Sequence, residues 1–117
     1  MISIGTDIVK ISRFNKSIIK GKKKFLKKIF TSDEIKYCNS FSDSSIHFAG
    51  KYAAKESVKK ALLSSGAYEH ISLLDIQVLN RKDKSPYITI NNFADIKFNV
   101  SISHDGDYAI SFAIIEK

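Results

Sequence analysis

A chain of 117 residues can hold one hydrophobic core but not two, and 44% hydrophobic with 26% charged content is that of an ordinary globular domain. Disorder, a disulfide-stapled miniprotein and a collagen-like rod are thereby excluded. The net charge is +7, but nine of the nineteen Lys and Arg residues lie between Ile8 and Ser32, where no acid occurs, so the basic character belongs to one segment.

No linker, repeat or low-complexity tract divides the chain, so residues 1–117 are expected to form a single domain. Met1–Val9 reads as a strand with Ile2, Ile4 and Ile8 on one face and Gly5 and Asp7 on the other. From Ser12 to Ile29 the basic segment carries Phe14, Ile18, Phe25 and Ile29 at roughly helical period, interrupted at Gly21. Thr31 and Glu34 form a capping box that should start a helix at Ser32 running to about Cys38. The strongest helix signal is Ile46 to Leu63, capped by Ser44–Ser45 and ended by Ser64-Ser65-Gly66. Its apolar residues lie nearly all round, so it should be central and buried on several sides.

Two strand-like runs follow, Ile71–Leu79 and Tyr87–Ile90, joined by a polar turn. The tail alternates Phe98, Val100 and Ile102 against Asn99, Ser101 and Ser103, then turns at Asp105-Gly106 into a last strand, Tyr108–Ile115. Helices in the first half and strands in the second predict an α+β fold, a small antiparallel sheet packed on a long central helix with shorter helices beside it. No apolar run approaches the ~18–20 residues that a bilayer requires. The N-terminus lacks the basic region and cleavage site of a secretory leader, and a lone Cys38 suits a reducing compartment. A cytoplasmic location without membrane attachment is therefore expected.

Three residues break the local rules. Asp7 is a poor strand residue among isoleucines, and the absent side chain of Gly5, on the same face, would let a ligand approach the backbone; the alternative is a carboxylate bonding an amide at a strand end. Glu56 projects into the apolar stripe of Ala49, Tyr52, Ala53 and Leu63, so its carboxylate needs a cation. That cation is either Lys60, one turn on, or a divalent metal shared with Asp7. On the same helix Lys51, Lys55 and Lys59 repeat every fourth residue, either a solvated face or a row awaiting a polyanion. His104 continues the inward parity of Phe98, Val100 and Ile102, as a structural histidine or as a donor to a phosphate. No nucleophile–base pair, phosphate loop or zinc spacing is present. The basic segment reads as a docking face for an anionic partner; a small nucleic-acid-binding module and a purely structural subunit are the competing readings.

The blocks IGTDIVKISR (Ile4–Arg13), FTSDE (Phe30–Glu34), FAGKYAAKES (Phe48–Ser57) and VSISHD (Val100–Asp105) resemble those of bacterial holo-acyl-carrier-protein synthase, the short type of 4′-phosphopantetheinyl transferase, in the same order and spacing. Departures are Lys51-Tyr52 for Arg-Phe, Ser57 for Ala, and Ser85 where a glycine is usual before Pro86. The resemblance implies an enzyme of fatty acid biosynthesis that moves the phosphopantetheine of coenzyme A to a serine of apo-acyl carrier protein, releasing adenosine 3′,5′-bisphosphate. It implies that Asp7 and Glu56 hold Mg²⁺ and that Lys60 meets the diphosphate and joins them in catalysis. Lys51 and His104 would hold the nucleotide end of coenzyme A at its 3′-phosphate. The carrier would dock on Arg13, Lys16, Lys20, Lys23 and Lys24, with Ile18 and Phe25 as apolar contacts. The chain would act as a homotrimer with active sites between subunits and no nucleic-acid partner.

Overall fold

The structure, a computed structural model, describes residues 1–66, 70–91 and 93–117. Strand β1 (Ile2–Lys10) leads through a 3₁₀ turn (Ile11–Phe14) into α1 (Lys16–Gly21), α2 (Lys23–Ile29), α3 (Ser32–Asn39) and the long α4 (Ser44–Ser64). A second 3₁₀ turn (Leu73–Asp75) precedes β2 (Gln77–Asn80) and β3 (Pro86–Thr89), and β4 (Lys97–Asp105) and β5 (Tyr108–Glu116) close the chain. One antiparallel sheet has the order β1-β5-β4, and β2 pairs with β3 in a separate ribbon. The expected α+β architecture is the observed one.

Small side chains let α4 lie close on the sheet. Gly5, Ala109, Ser111 and Ala113 face it, Ser57 Oγ and Ser111 Oγ are 3.0 Å apart, and Ala53, Ala54, Ser57 and Ala61 are buried. A Cβ at Gly5 would overlap the Ser57 carbonyl oxygen and come within 2.8 Å of the Ala61 nitrogen. The sequence reading of Gly5 as room for a ligand is therefore wrong. The glycine makes room for α4.

The face of β1 also differs from a simple amphipathic reading. Ile2, Ile4 and Ile8 are 63%, 56% and 62% exposed, while Gly5 and Val9 are buried and Asp7 is half-buried. With Tyr108, Ile110 and Phe112 of β5, all exposed, they make an apolar outer surface on the sheet.

The basic segment is no single helix. Lys22, at φ −127° and ψ 47°, separates α1 from α2. The break turns Leu26 and Ile29 inward and leaves Phe25 exposed. The Thr31–Glu34 capping box forms as expected. α4 starts two residues earlier than the spacing predicts, with Asp43 at its N-cap in place of the serines. The predicted strand Ile71–Leu79 is a strand only from Gln77, because the carbonyls of Leu73 and Ile76 bond the buried Lys55 ammonium at 3.0 and 2.7 Å instead of a neighbouring strand. Phe14, Phe30 and Phe48, with centroids 5.1–6.4 Å apart, fill the core under the short helices.

Candidate active site

At the β1 edge, Asp7 points toward α4. Lys60 Nζ lies 3.1 Å from Asp7 Oδ1 and donates to Thr6 O at 3.0 Å. Asp7 is 16% and Lys60 53% exposed, so the pair is a wet one worth at most about 1 kcal/mol. Glu56 lies one turn before Lys60, where side chains four apart are neighbours. It is half-buried, less enclosed than its stripe suggested, and among the described residues no hydrogen bond or ion pair reaches it. The Glu56–Lys60 pair therefore does not form; Lys60 turns to Asp7. Two carboxylates, Asp7 paired with an ammonium and Glu56 without one, are a donor set that suits Mg²⁺, which takes one or two protein carboxylates and completes its shell with phosphate and water. Among the described residues no cluster of three or more His, Cys, Asp or Glu forms a full protein cage.

At the β4 edge, a cleft of about 260 Å³ is lined by His47, Lys51, Asn80, Lys84 and His104, with Tyr37, Ile46, Gly50, Pro86 and Ile102 beside them. Lys51 is 4% exposed. Its Nζ donates to Val78 O and Asn80 Oδ1, both at 2.6 Å, and lies 4.6 Å from the centre of the Tyr37 ring. Burial pushes its pKa down. One of its three N–H donors remains for a ligand. His104 keeps the inward parity but, one residue from the strand end, stands exposed in the cleft.

Lys55 is no part of a solvated cation row. It is fully buried, 2.8 Å from Glu34, and Glu34 Oε2 accepts from Val78 N at 2.8 Å. Burial lowers the Lys55 pKa against the pull of Glu34. His47 stacks on Phe41 at 3.7 Å, and desolvation, then the cations Lys51 and Lys84 and the neighbouring His104, outweigh Asp43 and lower its pKa. Neither Glu34 nor His47 carried a site signal in the sequence, since capping accounts for the first and nothing marks the second. Cys38 is fully buried and pushed up to about 12 by burial, a neutral thiol and no nucleophile. In the turn before Pro86 the residue with a left-handed backbone is Lys84, φ 72°, so the glycine-favouring position is 84 and not 85.

The basic residues divide. Lys16, Lys20 and Lys23 line a groove of about 370 Å³ with Ile19, Asn39 and Ser44. The Arg13 guanidinium sits 5.1 Å from the centre of the Tyr52 ring. Lys24 is exposed and lies outside the groove lining, and Ile18 is half-buried while Phe25 stays exposed.

Residues 3–113 match the 4′-phosphopantetheinyl transferase superfamily. The chain belongs to that family. It is 40% identical to the holo-[acyl-carrier-protein] synthase of Protochlamydia amoebophila, over 97% of this chain and 96% of the relative. It is 36% identical to that of Clostridium tetani, over 99% and 96%. The structure of the Helicobacter pylori holo-[acyl-carrier-protein] synthase in complex with coenzyme A matches with TM-score 0.81 and 35% identity, over 97% of this chain and 99% of that one. The protein is thus an enzyme, a 4′-phosphopantetheinyl transferase of the holo-[acyl-carrier-protein] synthase type.

In this transferase the two residue groups stand at opposite edges of the sheet. Asp7 pairs with Ser111 on β5, and His104 pairs with Ala109 on the other side of the same strand. Strands are ~4.8 Å apart, so roughly 10 Å of sheet separates the two edges. α4 covers that interval, since Ser57 meets Ser111 of the middle strand and a Cβ on Gly50 would lie 3.0 Å from Ile102 of β4.

Proposed function

We propose that this transferase moves the 4′-phosphopantetheine group of coenzyme A to a serine of apo-acyl carrier protein, in the cytoplasm and in support of fatty acid biosynthesis. A bond forms between the serine oxygen and the phosphorus bearing the pantetheine arm, and the bond from that phosphorus to adenosine 3′,5′-bisphosphate breaks. Such a transfer needs positioning and charge neutralisation more than covalent help. The site supplies carboxylates and cations, and its one thiol, Cys38, is buried and protonated. The nucleophile comes from the partner.

The observation that carries the reading is the β1 edge, where Asp7 is balanced by Lys60 while Glu56 has no cation among the described residues. Asp7 and Glu56 would hold Mg²⁺, which when bound supplies positive charge to the diphosphate. Lys60 turns its ammonium to the same diphosphate, and Lys51 and His104 hold the nucleotide end. The groove of Lys16, Lys20 and Lys23, with Arg13 and Lys24 nearby, receives the acidic carrier.

One coenzyme A cannot run from the β1 edge to the β4 cleft of a single chain without passing α4. The two groups therefore serve different subunits, and a homotrimer brings the β1 edge of one beside the β4 edge of the next. The exposed apolar surface of Ile2, Ile4, Ile8, Ile110 and Phe112 supports such an assembly, because a contiguous patch of this kind is uncommon on a monomer. The test is incubation with coenzyme A, Mg²⁺ and an apo-acyl carrier protein, followed by mass spectrometry. The expected result is a phosphopantetheine mass gain on the carrier that is lost with chelator; no gain in the presence of both substrates overturns the reading.

A further inference from the structure

We propose that Lys84 is a further substrate-binding residue of this transferase, one that selects a donor carrying a phosphate monoester on its ribose. The inference rests on the coenzyme A reading above and adds a residue that none of the sequence blocks contains.

Among the described residues Lys84 is the one non-glycine with a positive φ, 72°. Glycine takes that conformation at no steric cost, whereas a side chain there is strained. The bonds that fix the turn are main-chain ones at residue 84: Lys84 N donates to Arg81 O at 2.9 Å, and Lys84 O accepts from Asn80 Nδ2 at 2.9 Å. A glycine would make both. The strain is therefore held for the side chain, and strained residues of this kind gather at ligand sites.

That side chain makes no hydrogen bond among the described residues. It is exposed, forms no ion pair among the described residues, and lines the β4 cleft with its ammonium 5.8 Å from the centre of the Phe41 ring. His47 stacks on the same Phe41 ring, and Lys51 and His104 line the same cleft. Asn80 positions both lysines at once, accepting from Lys51 Nζ at 2.6 Å while holding the Lys84 carbonyl.

Cations crowded in this way repel unless an anion joins them. The one acid acting on His47 is Asp43, and the burial of His47 together with the influence of Lys51, His104 and Lys84 overcomes it. Coenzyme A has two separate anionic centres. The diphosphate belongs to the Asp7–Lys60 edge, on the far side of α4, which leaves the 3′-phosphate for this cleft. A dianionic monoester against an ammonium makes the stronger, charge-assisted kind of hydrogen bond.

The test compares the full-length wild type with Lys84→Gly and Lys84→Met. Michaelis constants are measured for coenzyme A and 3′-dephospho-coenzyme A, and calorimetric titrations are run with adenosine 3′,5′-bisphosphate and adenosine 5′-monophosphate. Lys84→Gly should melt no lower than wild type, because it removes the strain. Both variants should raise the KM for coenzyme A and weaken the bisphosphate about three- to tenfold, while 3′-dephospho-coenzyme A and the monophosphate move less than twofold. A KM for coenzyme A unchanged in Lys84→Gly, or an equal loss for both donors, overturns the role of Lys84 while leaving the transferase reading intact. If the wild type transfers from neither donor, that reading fails, and the titrations alone decide: weaker bisphosphate binding by Lys84→Gly supports the assignment, and equal binding overturns it.

Discussion

Replacing Gly5 by alanine adds one methyl group where β1 rests on α4. Its carbon would overlap the Ser57 carbonyl oxygen and stand 2.8 Å from the Ala61 nitrogen and 3.0 Å from the Ser57 carbonyl carbon. All three are backbone atoms in the middle of a 21-residue helix, so no side chain can rotate out of the way. The strand and helix must separate along a contact that the rest of β5 and β4 depends on. Overpacking usually costs about 1–3 kcal/mol, and a clash with backbone belongs at the upper end. For a domain of this size, about 3 kcal/mol lowers the melting temperature by more than about 10 °C. The assay is thermal unfolding at one fixed protein concentration, since assembly shifts the midpoint. Asp7 lies two residues along the same face, so transfer measured well below the melting point should fall as well. A glycine reserved for ligand approach would behave differently, leaving the melt unchanged and raising only a Michaelis constant. A Gly5→Ala midpoint within about 2 °C of wild type refutes the packing argument.

The single variants Asp7→Ala and Glu56→Ala should each nearly abolish transfer, and the double variant should be hardly worse, because both lose the same ion site. Their melts should stay close to wild type, since Asp7 loses only the wet pair with Lys60, and full activity in Glu56→Ala would remove the assignment. Reversing Lys20, Lys23 and Lys24 to Glu should raise the Michaelis constant for the carrier roughly ten- to a hundredfold, mostly through the association rate, with that for coenzyme A unchanged. Added salt should hurt the wild type more than this variant, because exposed charges are screened over ~8 Å at physiological ionic strength; an unchanged carrier constant sinks the docking face. At coenzyme A levels where His104→Ala is slow because its Michaelis constant is raised, mixing it with the nearly inactive Glu56→Ala should give verified mixed oligomers more active than either chain alone, since one chain then supplies an intact β1 edge and its neighbour an intact cleft. No regain counts against sharing across the interface.

Elements with a local signal were legible in the sequence. The capping box, the all-round apolar stripe of α4 and the alternation of β4 each depend on neighbours a few residues apart, and each forms nearly where its pattern lies. What failed depended on distant partners. The spacing puts Ile2, Ile4 and Ile8 on one face and Gly5 and Asp7 on the other, but α4 packs on the face of Gly5, and no pattern within nine residues reveals which face that helix takes. The spacing of Lys51 and Lys55 allowed a solvated face or a row awaiting a polyanion, yet Glu34 and the carbonyls of Leu73, Ile76 and Val78 enclose them from segments up to 27 residues away. At the site, Asp7 was legible as an acid in a strand and Glu56 as an acid in an apolar stripe. The turn of Lys60 toward Asp7 was not, because it depends on how β1 docks.

Those buried lysines also explain how one helix positions both halves of the site. Among the described residues the β2–β3 ribbon makes no ladder with the three-stranded sheet; it is tied to α4 by ammonium groups, with Lys51 reaching Val78 O and Asn80 Oδ1 and Lys55 reaching Ile76 O. Glu34 closes the network by pairing with Lys55 and accepting from Val78 N. Removing one partner of such a buried pair costs about 3–5 kcal/mol, because the other is left charged and dry, so the groups that anchor the ribbon are themselves costly to displace. One flank of α4 thus carries Glu56 and Lys60 beside Asp7, and the other sets Lys51, Asn80 and the turn that bears Lys84. Gly5 against Ser57 and Gly50 against Ile102 fix that helix at both edges of the sheet. A shift of α4 that improved one half-site would displace the other, which is why the two tightly packed glycines, Gly5 and Gly50, and the buried charges of Lys51, Lys55 and Glu34 are gathered along this helix.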